Sequence, residues 1–81
     1  MTRKQKLLEA IRGNPRNVRF ADACKVAEML GFDRKGGAGS HVVYARPDEP
    51  AILNFQDRKG MLFTYQARQL VDMINKYGEE S

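Results

Sequence analysis

The residues most able to do chemistry lie in the stretch Gly36-Gly37-Ala38-Gly39-Ser40-His41, which contains the only histidine of the chain. Glycines permit unusual backbone angles and close backbone approach, so we predict a loop that leads into a strand. Such a loop can point several N–H groups at an anion, and an imidazole beside a bound phosphate can carry protons near neutral pH. The stretch is therefore a candidate site for phosphodiester chemistry, although a flexible hairpin with a surface histidine has the same pattern.

The composition indicates a small domain with an anionic partner. The chain has 81 residues and a formal net charge of +4, from 14 Lys and Arg against 10 Asp and Glu. A chain of this length forms one domain with a small core, in which a large cofactor has no room, and we expect no cofactor. The positive balance favours nucleic acid as a partner without requiring it.

Cys24 is the only cysteine, so an internal disulfide is excluded. One Cys and one His do not form a structural zinc site, and we expect no metal. We expect Cys24 to be a core residue rather than a nucleophile. The sequence contains no apolar run near the roughly 18 residues of a membrane span and no signal-peptide pattern, which predicts a cytoplasmic protein without a membrane partner.

Two helices are predicted before the glycine tract. Thr2 is placed to cap the first helix, which ends at 13–15 and to which we assign no function. The second helix begins at Phe20, carries apolar residues at three- and four-residue spacing, and stops at Gly31. The first helix is an extension (1–16) of a core that spans 18–77.

Three strands and a last helix follow. We predict the strands at 32–35, 40–45 and 52–56, a charged turn at 58–60, and a helix capped by Thr64 that ends near residue 78. The acidic residues 79–81 are expected to fray. The element order α-α-β-β-β-α predicts a single α+β domain over 1–81, with a three-stranded antiparallel sheet and helices on one of its faces.

The two faces of this sheet differ in polarity, because side chains alternate along a strand. One face is apolar and comprises Val42, Tyr44, Leu53 and Phe55. The other comprises His41, Val43, Asn54 and Gln56. If helices pack on the apolar face, the second face stays open, and we expect His41 to be exposed to solvent.

Several short motifs resemble the HicA family of bacterial toxins, over the range from about Val18 to Tyr77. They are Ala27-Glu28-Met29-Leu30-Gly31-Phe32, Gly39-Ser40-His41, Leu53-Asn54-Phe55-Gln56 and Tyr65-Gln66-Ala67-Arg68-Gln69-Leu70. The resemblance implies a double-stranded-RNA-binding-like fold, ribosome-independent cleavage of mRNA, and neutralisation by a cognate antitoxin of the HicB family. The family's catalytic histidine falls on His41. The run 36–38 and the helix at 2–12 lie outside the family pattern.

Together, the residues and the resemblance predict a metal-independent endoribonuclease. His41 would take the proton from a ribose 2′-OH, which attacks the adjacent phosphate. The charge that develops needs hydrogen-bond donors and cations. The candidates for phosphate contact are Gly37, Gly39, Ser40, Arg34, Lys35, Arg58, Lys59 and Arg68. Two alternatives remain open: an RNA-binding module without catalysis, and a protein that docks a partner on the open sheet face.

Overall fold

The computed structural model describes residues 2–78, and its elements occur in the predicted order. The helices are α1 (Arg3–Gly13), α2 (Phe20–Met29) and α3 (Thr64–Tyr77), and the strands are β1 (Asp33–Ala38), β2 (His41–Arg46) and β3 (Glu49–Gln56). The predicted α+β class is confirmed, with an N-terminal helix before an α-β-β-β-α core. The expected frayed tail at 79–81 lies outside the described residues.

The three strands form one antiparallel sheet in the order β1-β2-β3, so β2 is the central strand. Val42 lies opposite Gly37 on β1 and opposite Phe55 on β3. The register shifts between Arg34 and Gly36 on β1 and again between residues 44 and 46 on β2. Irregularities of this kind bend a strand and increase its local twist.

The core lies between one face of the sheet and the helices. The four residues of the predicted apolar face, Val42, Tyr44, Leu53 and Phe55, are all buried. They belong to one cluster with apolar residues from every helix, including Ile11, Ala27 and Leu70. The predicted division of the sheet into a packed face and an open face is therefore confirmed.

Cys24 departs from its predicted place in the core, because its side chain is only half-buried. Tyr44 lies beside the thiol and donates a hydrogen bond to Glu28 Oε2 at 2.8 Å. Burial raises the pKa of the Cys24 thiol, and a hydrogen bond with Tyr44 offsets this only in part. A raised pKa keeps the thiol protonated at neutral pH, which makes it a poor nucleophile.

The helix ends follow the sequence signals except at the start of α3. Thr2 caps α1 in a capping box with Gln5, as predicted for the cap, and Gly31 follows α2 with a φ of 90°. The predicted cap at Thr64 is wrong, since Phe63 is the N-cap of α3 and makes no side-chain cap hydrogen bond. The chain stays extended up to Phe63 because the N–H of Leu62 donates to the Val18 carbonyl at 2.8 Å.

A buried carboxylate joins the end of α3 to the start of β3. Glu49 Oε1 accepts hydrogen bonds from Lys76 Nζ at 2.5 Å and from the Tyr77 hydroxyl at 2.6 Å, and Oε2 accepts one from the Ala51 N–H at 2.9 Å. The hydrogen bonds from Lys76, Tyr77 and Ala51 lower the pKa of Glu49 to about 2. The ionised form of Glu49 is therefore the one that stabilises the folded chain.

We expect Glu49→Gln to lower the melting temperature, by a margin that depends on pH. A lowered folded-state pKa gives stability that is fully present above the unfolded value of 4.5 and is lost as pH falls toward about 2. The gap in melting temperature between wild type and variant should thus be constant above pH 4.5 and should narrow below it. Thermal unfolding across this pH range measures the gap. The other carboxyl groups are present in both proteins, so their contributions to the pH dependence cancel in the difference. A gap that widens in acid would contradict the assignment.

Candidate active site

His41 is the first residue of β2, and its imidazole is exposed on the open face of the sheet. The residues opposite it are Ala38 on β1 and Gln56 on β3. Within residues 2–78 the imidazole takes part in no hydrogen bond or ion pair. The predicted exposure of His41 is confirmed, and both ring nitrogens are available to exchange a proton with a ligand.

Two amide side chains share the open face with His41. Gln56 is exposed and lies directly across from His41, and Asn54 lies across from Val43 one step further along β3. An amide both donates and accepts hydrogen bonds, so the pair can orient a ribose hydroxyl or a phosphate oxygen. The strand alternation placed both residues on this face, but sequence reasoning gave them no role.

The glycine tract is a strand rather than the predicted loop. β1 continues through Ala38, with Gly36 opposite Val43 and Gly37 opposite Val42. Only Gly39 and Ser40 remain as the turn, because two residues are enough to connect antiparallel strands. Gly37 is therefore a strand residue and not part of the predicted loop, whereas its predicted contact with phosphate stays a prediction.

Gly37 has a structural reason of its own to be glycine. Its φ is 110°, and a Cβ at this position would lie 2.1 Å from the His41 carbonyl oxygen and 2.6 Å from the Val42 Cα. Both neighbours are backbone atoms that no rotamer change can move. The bare Gly37 backbone thus lets β1 approach the strand that carries His41.

The cations predicted to contact phosphate lie in three regions, which are β1, helix α3 and the turn that follows β3. Arg34 lies opposite Tyr44, which faces the helices, and its charge acts on the Cys24 thiol; Lys35 lies at the register shift of β1. Arg34 is therefore not brought to the face that carries His41. Arg68 is exposed on α3 and forms no ion pair within residues 2–78.

Arg58 and Lys59, by contrast, lie in a turn that contacts the residue before His41. The N–H of Asp57 donates to the Ser40 carbonyl at 2.7 Å, and Asp57 Oδ1 accepts a hydrogen bond from the Gly60 N–H at 2.6 Å. Lys59 has a φ of 53°, the one positive φ of a non-glycine residue within 2–78. The turn thus holds two cations on an ordered support beside the Ser40–His41 corner.

Sequence reasoning missed a groove that lies beside this turn. The groove has a volume of about 600 Å³, and its lining includes Arg16, Arg58, Lys59, Phe63 and Tyr65. The Phe63 and Tyr65 ring centroids are 5.9 Å apart, and the Arg58 guanidinium lies 5.2 Å from the centre of Phe63. The groove forms where residues 16–17 meet residues 58–65, and no local pattern in the sequence signals a contact between such distant segments.

One buried amide connects this groove to the strand opposite His41. Gln66 is 2% exposed, and its Oε1 accepts a hydrogen bond from the Gln56 N–H at 2.9 Å. Its Nε2 donates to the Tyr65 hydroxyl at 3.3 Å. The first turn of α3 is therefore fixed to the end of β3, and Tyr65 is fixed relative to His41.

The chain matches no family model, no curated protein and no solved structure. Within residues 2–78, no helix has the length and apolar character needed to cross a bilayer.

The fit of Gly37 predicts different outcomes for two neighbouring substitutions. Gly37→Ala should destabilise the fold by about 2 kcal/mol or more, since positive-φ strain alone costs about 1–3 kcal/mol and the Cβ overlaps backbone atoms. Gly36→Ala is the matched control, because a Cβ there has no atom within 4 Å. Urea unfolding of both variants measures the difference. Equal stability of the two proteins would refute the close approach of β1 to β2.

Proposed function

We propose that this chain is an endoribonuclease of the HicA type, a toxin that cleaves mRNA and is neutralised by a HicB-like antitoxin in the cytoplasm. The observation that carries the proposal is His41, an exposed imidazole at a corner of the sheet that has no partner within residues 2–78 and lies next to a turn that presents two cations. The motif resemblance over residues 18–77 supports the choice of RNA as substrate and of the antitoxin as partner.

The geometry suits cleavage by the ribose 2′-OH. His41 removes the proton from this hydroxyl, whose oxygen attacks the adjacent phosphorus. A bond forms from the 2′ oxygen to phosphorus, and the bond from phosphorus to the 5′ oxygen breaks. The 5′ oxygen takes a proton from the imidazolium or from water, and the other product carries a 2′,3′-cyclic phosphate.

The negative charge that develops on the phosphate needs fixed partners. Arg58 and Lys59 fit this task best among the predicted cations, because their turn is hydrogen-bonded to Ser40. Ser40 and Gly39 form the hairpin turn next to His41 and offer a hydroxyl and backbone groups. Gln56 lies across from His41 and is placed to orient the attacking hydroxyl.

His41→Ala tests the catalytic role. Because the side chain is exposed and has no partner among the described residues, its removal should change the free energy of unfolding by no more than about 0.5 kcal/mol. Proton transfer by a positioned side chain contributes about 10²- to 10⁴-fold, so cleavage of a long transcript should fall by at least about 100-fold while RNA binding persists. The measurements are thermal unfolding, RNA affinity and product analysis of purified proteins.

The controls separate the proposal from its alternatives. A 2′-deoxy residue at the cleaved position should block cleavage, and the wild-type products should carry 2′,3′-cyclic phosphate ends. Full cleavage by a well-folded His41→Ala protein would end the catalytic assignment. Wild-type protein that shifts RNA without cutting it would indicate an RNA-binding module, and protein that does neither would favour a docking role for the open sheet face.

A further inference from the structure

Tyr65 is an exposed aromatic residue in an unusual place. Tyr65 is 61% exposed and forms part of the lining of the groove. The three cations of the groove, Arg16, Arg58 and Lys59, form no ion pair within residues 2–78. We call Phe63, Tyr65 and these cations the aromatic-cationic groove. An exposed ring bordered by unpaired cations matches the two parts of a nucleotide, since bases stack on rings and phosphates pair with cations.

We propose that the aromatic-cationic groove binds an unpaired nucleotide of the RNA next to the cleaved phosphate, and so selects single-stranded RNA over duplex. The position relative to the cleaved phosphate rests on the function proposed above. In an A-form duplex each base is stacked between its neighbours and cannot offer a face to Tyr65. An unpaired base can do so, with its phosphate near Arg58 and Lys59.

Two sets of hydrogen bonds connect the groove to the corner of the sheet that carries His41. Asp57, which precedes Arg58, is hydrogen-bonded to Ser40, the residue before His41. On the other wall, Gln66 bonds both Tyr65 and the strand position opposite His41. In this proposal, an RNA strand leaves the groove along the Asp57 turn and reaches the imidazole.

The start of α3 adds to the positive character of the groove. Thr64 lines the groove, and the first turn of α3 contains no acidic residue and no side-chain cap. The N-terminal end of a helix carries partial positive charge that favours phosphate. The volume of about 600 Å³ is within the range of small-ligand sites, which is the scale of a nucleotide rather than a protein segment.

The first test measures binding in the His41→Ala background, so that cleavage does not interfere. A fluorescein-labelled unstructured RNA serves as the probe, with its paired duplex for comparison. Tyr65→Ala should weaken binding of the single strand by about 5- to 100-fold, the usual effect of removing one stacking ring. Tyr65→Phe keeps the ring and should bind nearly as well as the parent. Ile52→Ala, which removes an exposed large apolar side chain outside the groove, should change nothing.

The second test separates the phosphate contacts from overall charge. Each phosphate contact on a single strand contributes about 0.7 to the magnitude of the slope of log affinity against log salt. Replacing Arg16, Arg58 and Lys59 with neutral residues should therefore reduce this magnitude by about 2. Asn is the choice at position 59 because it tolerates the positive φ. Neutralising Arg3, Lys4 and Lys25, which surround a separate apolar cleft, removes the same charge and should leave the slope nearly unchanged.

These binding measurements test the inference independently of catalysis. Tyr65→Ala protein with unchanged folding and unchanged RNA affinity would overturn it, as would equal affinity of the parent for duplex and single strand. Groove variants that lose a protein partner but retain RNA would assign the groove to that partner instead. If His41→Ala protein cleaved RNA normally, the catalytic proposal would fail, yet Tyr65-dependent binding of single strands would stand.

Discussion

The site depends on the alternation of side chains along β2, the central strand of the sheet. Val42 and Tyr44 are buried against the helices, so His41 and Val43 must face the other way. A slip of one residue would put His41 into the core and Val42 into solvent, and the loss of apolar burial opposes that slip. The close fit of Gly37 against Val42 and the bond from Tyr44 to Glu28 fix the same register. The exposure of the histidine therefore follows from packing on the opposite face.

Helix α3 positions the groove because both of its ends are bonded to the hairpin strands. At its end, Lys76 and Tyr77 donate to the buried carboxylate of Glu49, and the Arg46 guanidinium lies 3.8 Å from the centre of the Tyr77 ring. At its start, Gln66 bonds the last residue of β3. A buried amide without partners would be costly, so the bond from the Gln56 N–H to Gln66 Oε1 resists separation of helix and strand, while the bond from Gln66 Nε2 holds the Tyr65 hydroxyl within the helix. Tyr65 thus occupies a fixed place relative to β3.

Periodicity made much of this fold predictable, and the exceptions have physical causes. The apolar spacing of α2 and the alternation of β2 depend on local patterns, and both are confirmed. The glycines of β1 were predicted as a loop because glycine is unfavourable in strands, yet close packing against β2 requires Gly37 there. Thr64 was predicted as a cap from its residue type, but pairing of Leu62 with Val18 sets the helix start. No local sequence pattern predicts the groove, because it forms between segments that are distant in the sequence.

Three carboxylates of the chain are bonded to groups other than the cations of the groove. Glu9 pairs with Arg12, Glu49 pairs with Lys76, and Asp57 accepts the Gly60 N–H within its own turn. The last of these is the acidic side chain next to Arg58, and it bonds the backbone of its own turn rather than the arginine. Arg16, Arg58 and Lys59 form no ion pair within residues 2–78, and the turn that presents Arg58 and Lys59 is the one bonded to the residue before His41. The packing that orders this turn thus leaves its two cations open to an external anion.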